Sequence, residues 1–287
     1  MEEKVFEEIA EKVSQTLVKA GSVFPEDRYG AYERGIAGET EELSCWAMKE
    51  IVRNAESAAR KHSPLCDDTG IPHLILEVGR KRTVDGDFLE AVHEGVRRGL
   101  KTLPGRPMAV LGDDKERIEQ SIGLDERSEA LCPPPIQLKY SEDEDRLRLT
   151  VLMQGGGPEI RAKTYRVFHK HSMDTVVDEI ISWGKEVIGQ LGCTPCTMAV
   201  GIGRSHYEAS SLMLQAMAEG TYDRQSLYEK RITEELNKCN VGAIGLGGNC
   251  SVLGTFMKIG SQRASGVRIV CLRPCCCFEP RKATVEF

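Results

Sequence analysis

Helical periodicity and short β-branched runs alternate along the whole chain, with glycine and proline at many of the junctions between them. Val5, Phe6, Ile9, Val13 and Leu17 recur at helical spacing over residues 3–20, with Glu and Lys on the opposite face. Leu43, Trp46, Ala47, Ile51 and Ala55 do the same over 40–61, and Ser63-Pro64 ends that helix because a residue preceding proline avoids the helical region. Further helices are predicted at 87–101, 173–189, 206–219 and 224–238. Strands are predicted at Ile71 to Val78, Met108 to Leu111, Leu147 to Met153, 196–202 and near 267–272. No repeat of fixed period is present. The alternation predicts a mixed α/β (α+β) fold.

At a prior of about 150 residues per domain, 287 residues make one large domain or two modest ones. Residues 112–146 are rich in charge and proline and predict a long surface excursion. They also mark the expected boundary between lobes 1–145 and 146–287. Hydrophobic residues at 40% and charged residues at 29% exclude a disordered or low-complexity chain. A net charge of −6 argues against nucleic acid as a partner. No apolar run approaches the roughly 20 residues of a membrane-spanning helix, and Met1-Glu2-Glu3-Lys4 resembles neither a secretory nor a transit signal. A cytosolic chain without membrane contact is expected.

Eleven cysteines are many for a reducing compartment, where disulfide frameworks are rare, so they point to metal ligation, redox chemistry or plain burial. Four Gly/Pro-rich turns carry the chemistry-bearing residues: Pro64-Leu65-Cys66-Asp67-Asp68-Thr69-Gly70, Gln154-Gly155-Gly156-Gly157-Pro158-Glu159, Gly192-Cys193-Thr194-Pro195-Cys196 and Cys275-Cys276-Cys277. Single thiols spread over a long chain, each in such a turn, suit a metal cluster, and local zinc-finger spacing is absent.

Plainer roles compete. Cys45, Cys132, Cys239, Cys250 and Cys271 suit burial as small hydrophobes. Cys193-x-x-Cys196 suits a redox dithiol or half a zinc site, and Asp67 and Asp68 suit turn or cap formation. Gly155-Gly156-Gly157 and Gly201-Ile202-Gly203 lack the remainder of a phosphate-loop motif. The six histidines show no ligand spacing.

In order along the chain, these segments resemble the α subunit of the iron-sulfur hydro-lyases, the family of class I fumarases and L(+)-tartrate dehydratases. Asn54-Ala55-Glu56 followed by Pro64-Leu65-Cys66-Asp67-Asp68-Thr69-Gly70 resembles the family's most specific signature. Gly192-Cys193-Thr194-Pro195, Gly245-Leu246-Gly247-Gly248 and the stretch from Cys277 to Glu286 follow in the family's order. The resemblance implies Gly/Pro loops converging on a 4Fe-4S cluster held by Cys66, Cys193 and Cys277, with one iron lacking a thiolate. Such an iron polarises a departing hydroxyl as a Lewis acid. The resemblance further implies that Asp68 assists proton transfer and that Arg106, in Pro104-Gly105-Arg106-Pro107, forks onto a substrate carboxylate. Within the triple-Cys run, counting back from Arg281, which resembles the family's arginine four residues after its ligand, selects Cys277 over Cys275 and Cys276.

The departures from the pattern fall in the pocket. Gln154-Gly155-Gly156-Gly157-Pro158-Glu159-Ile160 stands where the family has Lys-Gly-Gly-Gly-Ser-Glu-Asn, losing a cation, a hydroxyl and an amide. The family's Asn-Thr-Gly-Asp-Asn-Thr-Pro and His-Pro-Ala-Ser-Leu-Pro loops have no counterpart at Arg127 to Pro133 or near Arg263-Ala264-Ser265-Gly266. An Fe-S hydro-lyase acting on a 2-hydroxy di- or polycarboxylic acid is implied, together with a separate β subunit in an α2β2 assembly. Two alternatives stay open: a non-catalytic Fe-S or metal-binding protein that kept the ligands, and a dithiol oxidoreductase built on Cys193 and Cys196.

Overall fold

A computed structural model describes residues 1–103, 105–106 and 108–287. In chain order the elements are α1 (Glu3–Ser22), α2 (Glu26–Gly38), α3 (Glu42–Lys61), β1 (Ile71–Gly79), α4 (Gly86–Thr102), α5 (Asp114–Glu119), β2 (Ile136–Ser141), β3 (Leu147–Gln154), α6 (Gly156–Glu159), β4 (Lys163–Phe168), α7 (Met173–Leu191), β5 (Cys196–Gly203), α8 (His206–Glu219), α9 (Leu227–Asn237), β6 (Val252–Ile259), β7 (Val267–Cys275) and β8 (Arg281–Glu286). The mixed α/β class is as expected. No described helix is long and apolar enough to cross a membrane.

The chain forms two compact units, each drawn from separate stretches of the sequence. Residues 1–23, 55–155 and 281–287 make the first, and 24–54 and 156–280 the second. The expected halves 1–145 and 146–287 do not coincide with these units, because β8 returns to pair with β3 in the first. Nor is 112–146 a boundary. It supplies α5 and β2, and β2 runs parallel to β1 from Leu74↔Ile136 to Gly79↔Ser141. That strand was missed because it is an edge strand with Leu138 and Tyr140 exposed, so its alternation does not mark a buried face. Met108 to Leu111, expected as a strand, is irregular; the Ala109 carbonyl accepts one backbone bond from the Asp125 amide at 2.8 Å instead of joining a ladder.

The first unit carries a sheet of order β2-β1-β3-β8, in which β1–β3 and β3–β8 are antiparallel. Leu74, Leu76, Leu147, Leu149, Val151, Met153 and Ala283 point to one face, where Val13 and Leu17 of α1 and Phe88, Val92, Val96 and Leu100 of α4 cover them. Their i, i+4 spacing makes one apolar stripe per helix. The other face is partly polar: Glu77 pairs with Lys139 and Arg148, and Thr150 meets Thr284 at 3.1 Å.

The second unit's sheet has order β4-β7-β5-β6. Every residue of β5 is buried. Cys196, Met198, Val200 and Ile202 face a core shared with α7 and α9. On the opposite face a Cβ at Gly201 would run into the backbone at Ala209 and Met213 of α8, so glycine permits this close approach. β5 and β7 are antiparallel with Thr197 opposite Cys275. The turn before β5 and the cysteine run after β7 therefore emerge at the same end of the sheet.

Candidate functional site

That topology brings two expected ligand segments together. The Cys277 amide donates to the Cys193 carbonyl at 2.8 Å, and the two thiols are hydrogen-bonded. Cys193 is exposed and Cys277 buried. The hydrogen bond to Cys193, burial and the neighbouring Cys276 hold the Cys277 thiol well above its ordinary pKa. A metal centre there would have to displace that proton. The Cys193 turn is braced from below: Thr194 Oγ1 donates to the Gly242 carbonyl at 2.5 Å, and Ile244 N donates to the Thr194 carbonyl at 2.9 Å.

Buried charge fixes the cysteine run. Arg273 and Glu279 are both fully buried and paired at 2.6 Å, and Arg273 reaches Glu159 at 3.0 Å and the Cys275 sulfur at 3.5 Å. Helix α2 adds Arg28, which donates to the Phe278 carbonyl and to the Tyr222 hydroxyl, and Tyr32, which donates to the Cys277 carbonyl at 2.7 Å. Cys196 is fully buried in β5. Cys193 thus finds its thiol partner in Cys277.

The other site residues lie in the first unit. The loop after α3 is anchored by Leu65 N donating to the Gly21 carbonyl at 3.0 Å, which leaves Cys66 half-buried. Burial pushes the Cys66 thiol up, and it donates to Asp67 Oδ1 at 3.2 Å. That bond, and then the Asp68 amide, draw the Asp67 carboxyl down. Arg281, 1% exposed, donates to the Asp68 carbonyl at 2.6 Å, the Thr69 carbonyl at 2.8 Å and the Met153 carbonyl at 3.2 Å. Gly70 sits at φ +97°, and a Cβ there would lie 2.7 Å from Arg281 Nη2. The turn at Asp67-Asp68-Thr69-Gly70 is thus moulded on one guanidinium.

Arg106 lies 3.8 Å from Asp67, with both side chains exposed. The prolines flanking it in the motif, Pro104 and Pro107, lie outside the described residues. Two buried polar atoms in this corner have no partner among the described residues: Thr69 Oγ1, beside Gly105, and Gln154 Nε2, whose residue pairs with Ile71 at the end of β1. A buried donor left unpaired costs about 1–3 kcal/mol, so both are poised for an incoming acceptor or water.

Sequence reasoning located Cys66, Asp68, Arg106, Cys193 and Cys277 on two units: the first three in one, the two thiols Cys193 and Cys277 together in the other. It passed over Arg28 and Tyr32, which stand in a helix with few apolar residues, and it quoted Glu159 and Glu279 within motifs without giving either a role. Burial as small hydrophobes holds for Cys250 and Cys271 but not fully for Cys45, Cys132 and Cys239, which are partly exposed because they sit on helix faces or loops at the rim. Among the described residues no three His, Cys, Asp or Glu side chains are placed to hold a single metal ion.

Residues 10–286 match the family model described as fumarate hydratase (Fumerase). The chain belongs to this family. A Methanocaldococcus jannaschii protein provisionally named L(+)-tartrate dehydratase subunit alpha is 25% identical, over 96% of both chains. The L(+)-tartrate dehydratase subunit alpha of Escherichia coli strain K12 is 21% identical over 93% of this chain and 87% of its own. The family and the relatives' names agree on hydro-lyase-type chemistry.

Proposed function

We propose that residues 1–287 form the cluster-bearing α subunit of a hydro-lyase that reversibly dehydrates a 2-hydroxy di- or polycarboxylic acid, working with a separate β subunit in an α2β2 assembly. The observation that carries this reading is the juxtaposed Cys193 and Cys277 in a turn braced by buried Arg28, Tyr32, Arg273 and Glu279. Soft thiolates are the donors that iron-sulfur clusters take, so the donor set fits a 4Fe-4S group. Cys66, Cys193 and Cys277 would hold it, and its thiolate-free iron would supply a Lewis acid for the departing hydroxyl.

The chain's own residues do the rest. Arg281 fixes the backbone of the Asp68 turn, so the Asp68 carboxylate can move the proton at the carbon next to the substrate's second carboxylate. Arg106, exposed at the same turn, offers a planar fork to a carboxylate. Gln154 Nε2 and Thr69 Oγ1, both buried and without a partner among the described residues, are suited to oxygens of the substrate. Gln154 is uncharged, which favours a hydroxyl or carbonyl oxygen at that place rather than a full carboxylate. The relatives' designation as alpha subunits supports a β partner.

The test is anoxic reconstitution of wild type and of Cys66→Ser, Cys193→Ser and Cys277→Ser, followed by iron and acid-labile sulfide analysis and EPR. A cluster in wild type that each substitution destabilises is expected, with turnover of a hydroxy acid once a co-purified second subunit is added. A cluster without turnover in that complex would leave a non-catalytic iron-sulfur protein. Absence of a cluster would overturn the proposal.

A further inference from the structure

Arg28 is a fully buried cation. Its guanidinium contacts are the Tyr222 hydroxyl, at 3.3 Å from Nε and 3.1 Å from Nη2, and the carbonyl of Phe278. The Phe24 ring lies 4.8 Å beneath it and the Tyr222 ring 5.9 Å away. No carboxylate pairs with it among the described residues. The contrast within the same unit is direct: buried Arg273 is neutralised by buried Glu279. A guanidinium withdrawn from water with only neutral oxygens and π-faces around it is costly unless a negative charge stands nearby.

The Phe278 carbonyl that Arg28 holds follows directly on Cys277, so the buried guanidinium lies against the backbone that carries an expected cluster ligand. One helical turn further on, Tyr32 grips the Cys277 carbonyl, so α2 presents an i, i+4 pair that holds the Cys277–Phe278 backbone while placing a positive charge behind it. Tyr222 is itself fixed by Thr197 at 2.6 Å and, through its amide, by Asp27 at 2.8 Å, so Arg28 sits in a set of side chains that cannot turn away.

We infer that Arg28 is a positioning residue whose buried charge compensates the thiolate-bound iron-sulfur cluster and raises its reduction potential. The inference rests on Cys277 being a cluster ligand. A cluster with three thiolates carries net negative charge, and each added electron deepens it. A fixed cation behind one ligand stabilises the reduced form more than the oxidised one.

The experiment compares reconstituted wild type with Arg28→Gln, Arg28→Lys and Tyr32→Phe, reading iron and sulfide per chain and the cluster midpoint potential by EPR-monitored titration. Gln keeps hydrogen-bond donors but no charge; Lys keeps the charge but not the planar fork. Arg28→Gln is expected to shift the ratio of reduced to oxidised cluster at least tenfold toward oxidised, which for one electron is about 59 mV. Arg28→Lys should stay near the wild-type potential, and Tyr32→Phe should lose iron faster with its potential unchanged.

Equal potentials in Arg28→Gln and wild type would overturn the inference. If Arg28→Gln does not fold, Arg28→Lys decides: a purely structural role predicts that the potential of whatever cluster it holds departs from wild type or that no cluster is held, and either result overturns the charge role. A wild type that takes up no cluster instead removes the functional proposal above, so the two failures are told apart.

Discussion

The two units share a strand-pairing scheme and use it differently. In each, one parallel pair is followed by two antiparallel pairs, β2-β1-β3-β8 in the first and β6-β5-β7-β4 in the second. The first packs the α1–α4 pair against one sheet face and keeps Glu77, Lys139 and Arg148 on the other. The second buries its central strand on both faces, with α7 and α9 on one side and α8 on the other. Their site segments differ in the same sense. The thiol turn of the second unit is locked by paired buried charges, whereas the corner of the first leaves Thr69 Oγ1 and Gln154 Nε2 without a partner among the described residues. A rigid, satisfied turn suits a permanent ligand, and unpaired donors suit one that comes and goes.

The comparison can be broken most severely at β5. Gly201→Val would push a branched side chain into the α8 backbone, which cannot yield without losing the layer. Overpacking costs typically about 1–3 kcal/mol where side chains can shift, and more is expected here because the obstacle is backbone. Urea unfolding, or loss of soluble folded protein, reads the outcome; near-wild-type stability would show that the double-sided packing is less strict than drawn.

Arg281→Met tests the first unit's turn. It leaves the Asp68, Thr69 and Met153 carbonyls without their charged donor, and hydrogen bonds to a charged group contribute about 1.5–3 kcal/mol. A loss of at least that size is expected in denaturant melts, with faster alkylation of Cys66. Unchanged Cys66 reactivity would mean the turn holds without its guanidinium.

The polar sheet face of the first unit gives it an acid-sensitive element. Burial disfavours the Glu77 carboxylate, but hydrogen bonds and charge from Lys139 and Arg148 outweigh that and lower its pKa below 4.5. A carboxyl depressed in the folded state stabilises fully above its unfolded value and loses this contribution as pH falls through the folded one. Stability should therefore fall from about pH 4.5 downward, and Glu77→Gln should flatten that limb while lowering stability at neutral pH. An acid limb of unchanged slope in the variant would assign the effect elsewhere.

The smallest effect is expected at Gly86, in the first turn of α4, where a Cβ would meet nothing within 4 Å. Gly86→Ala should stabilise by roughly 0.4–1 kcal/mol by restricting the unfolded chain. A destabilising result would show that helix-start geometry there needs glycine.

Much of the fold was legible because helix and strand leave different periods. The stripes of α1, α4, α7 and α8 and the runs at β1, β3, β5 and β7 stand out in the sequence, and α8 was placed at its observed bounds, 206–219. β2, β4, β6 and β8, the edge strands of the two sheets, were not legible, β2 and β4 because their faces are largely exposed, and α2 was not, because its buried residues include Arg28 and Tyr32 rather than an aliphatic stripe. At the site, the motif residues Cys66, Asp68, Arg106, Cys193 and Cys277 were named from their order along the chain.

Sequence by itself determined the class of fold, the family and that Cys66, Cys193 and Cys277 stand in turns, since these depend on local pattern and residue type. Only the tertiary structure decided that β8 rejoins the first unit, that Cys193 meets Cys277, and that Arg281 and Arg28 are buried. Strand register and the burial of a charge are set by contacts between segments far apart in the chain, and local periodicity carries no record of them.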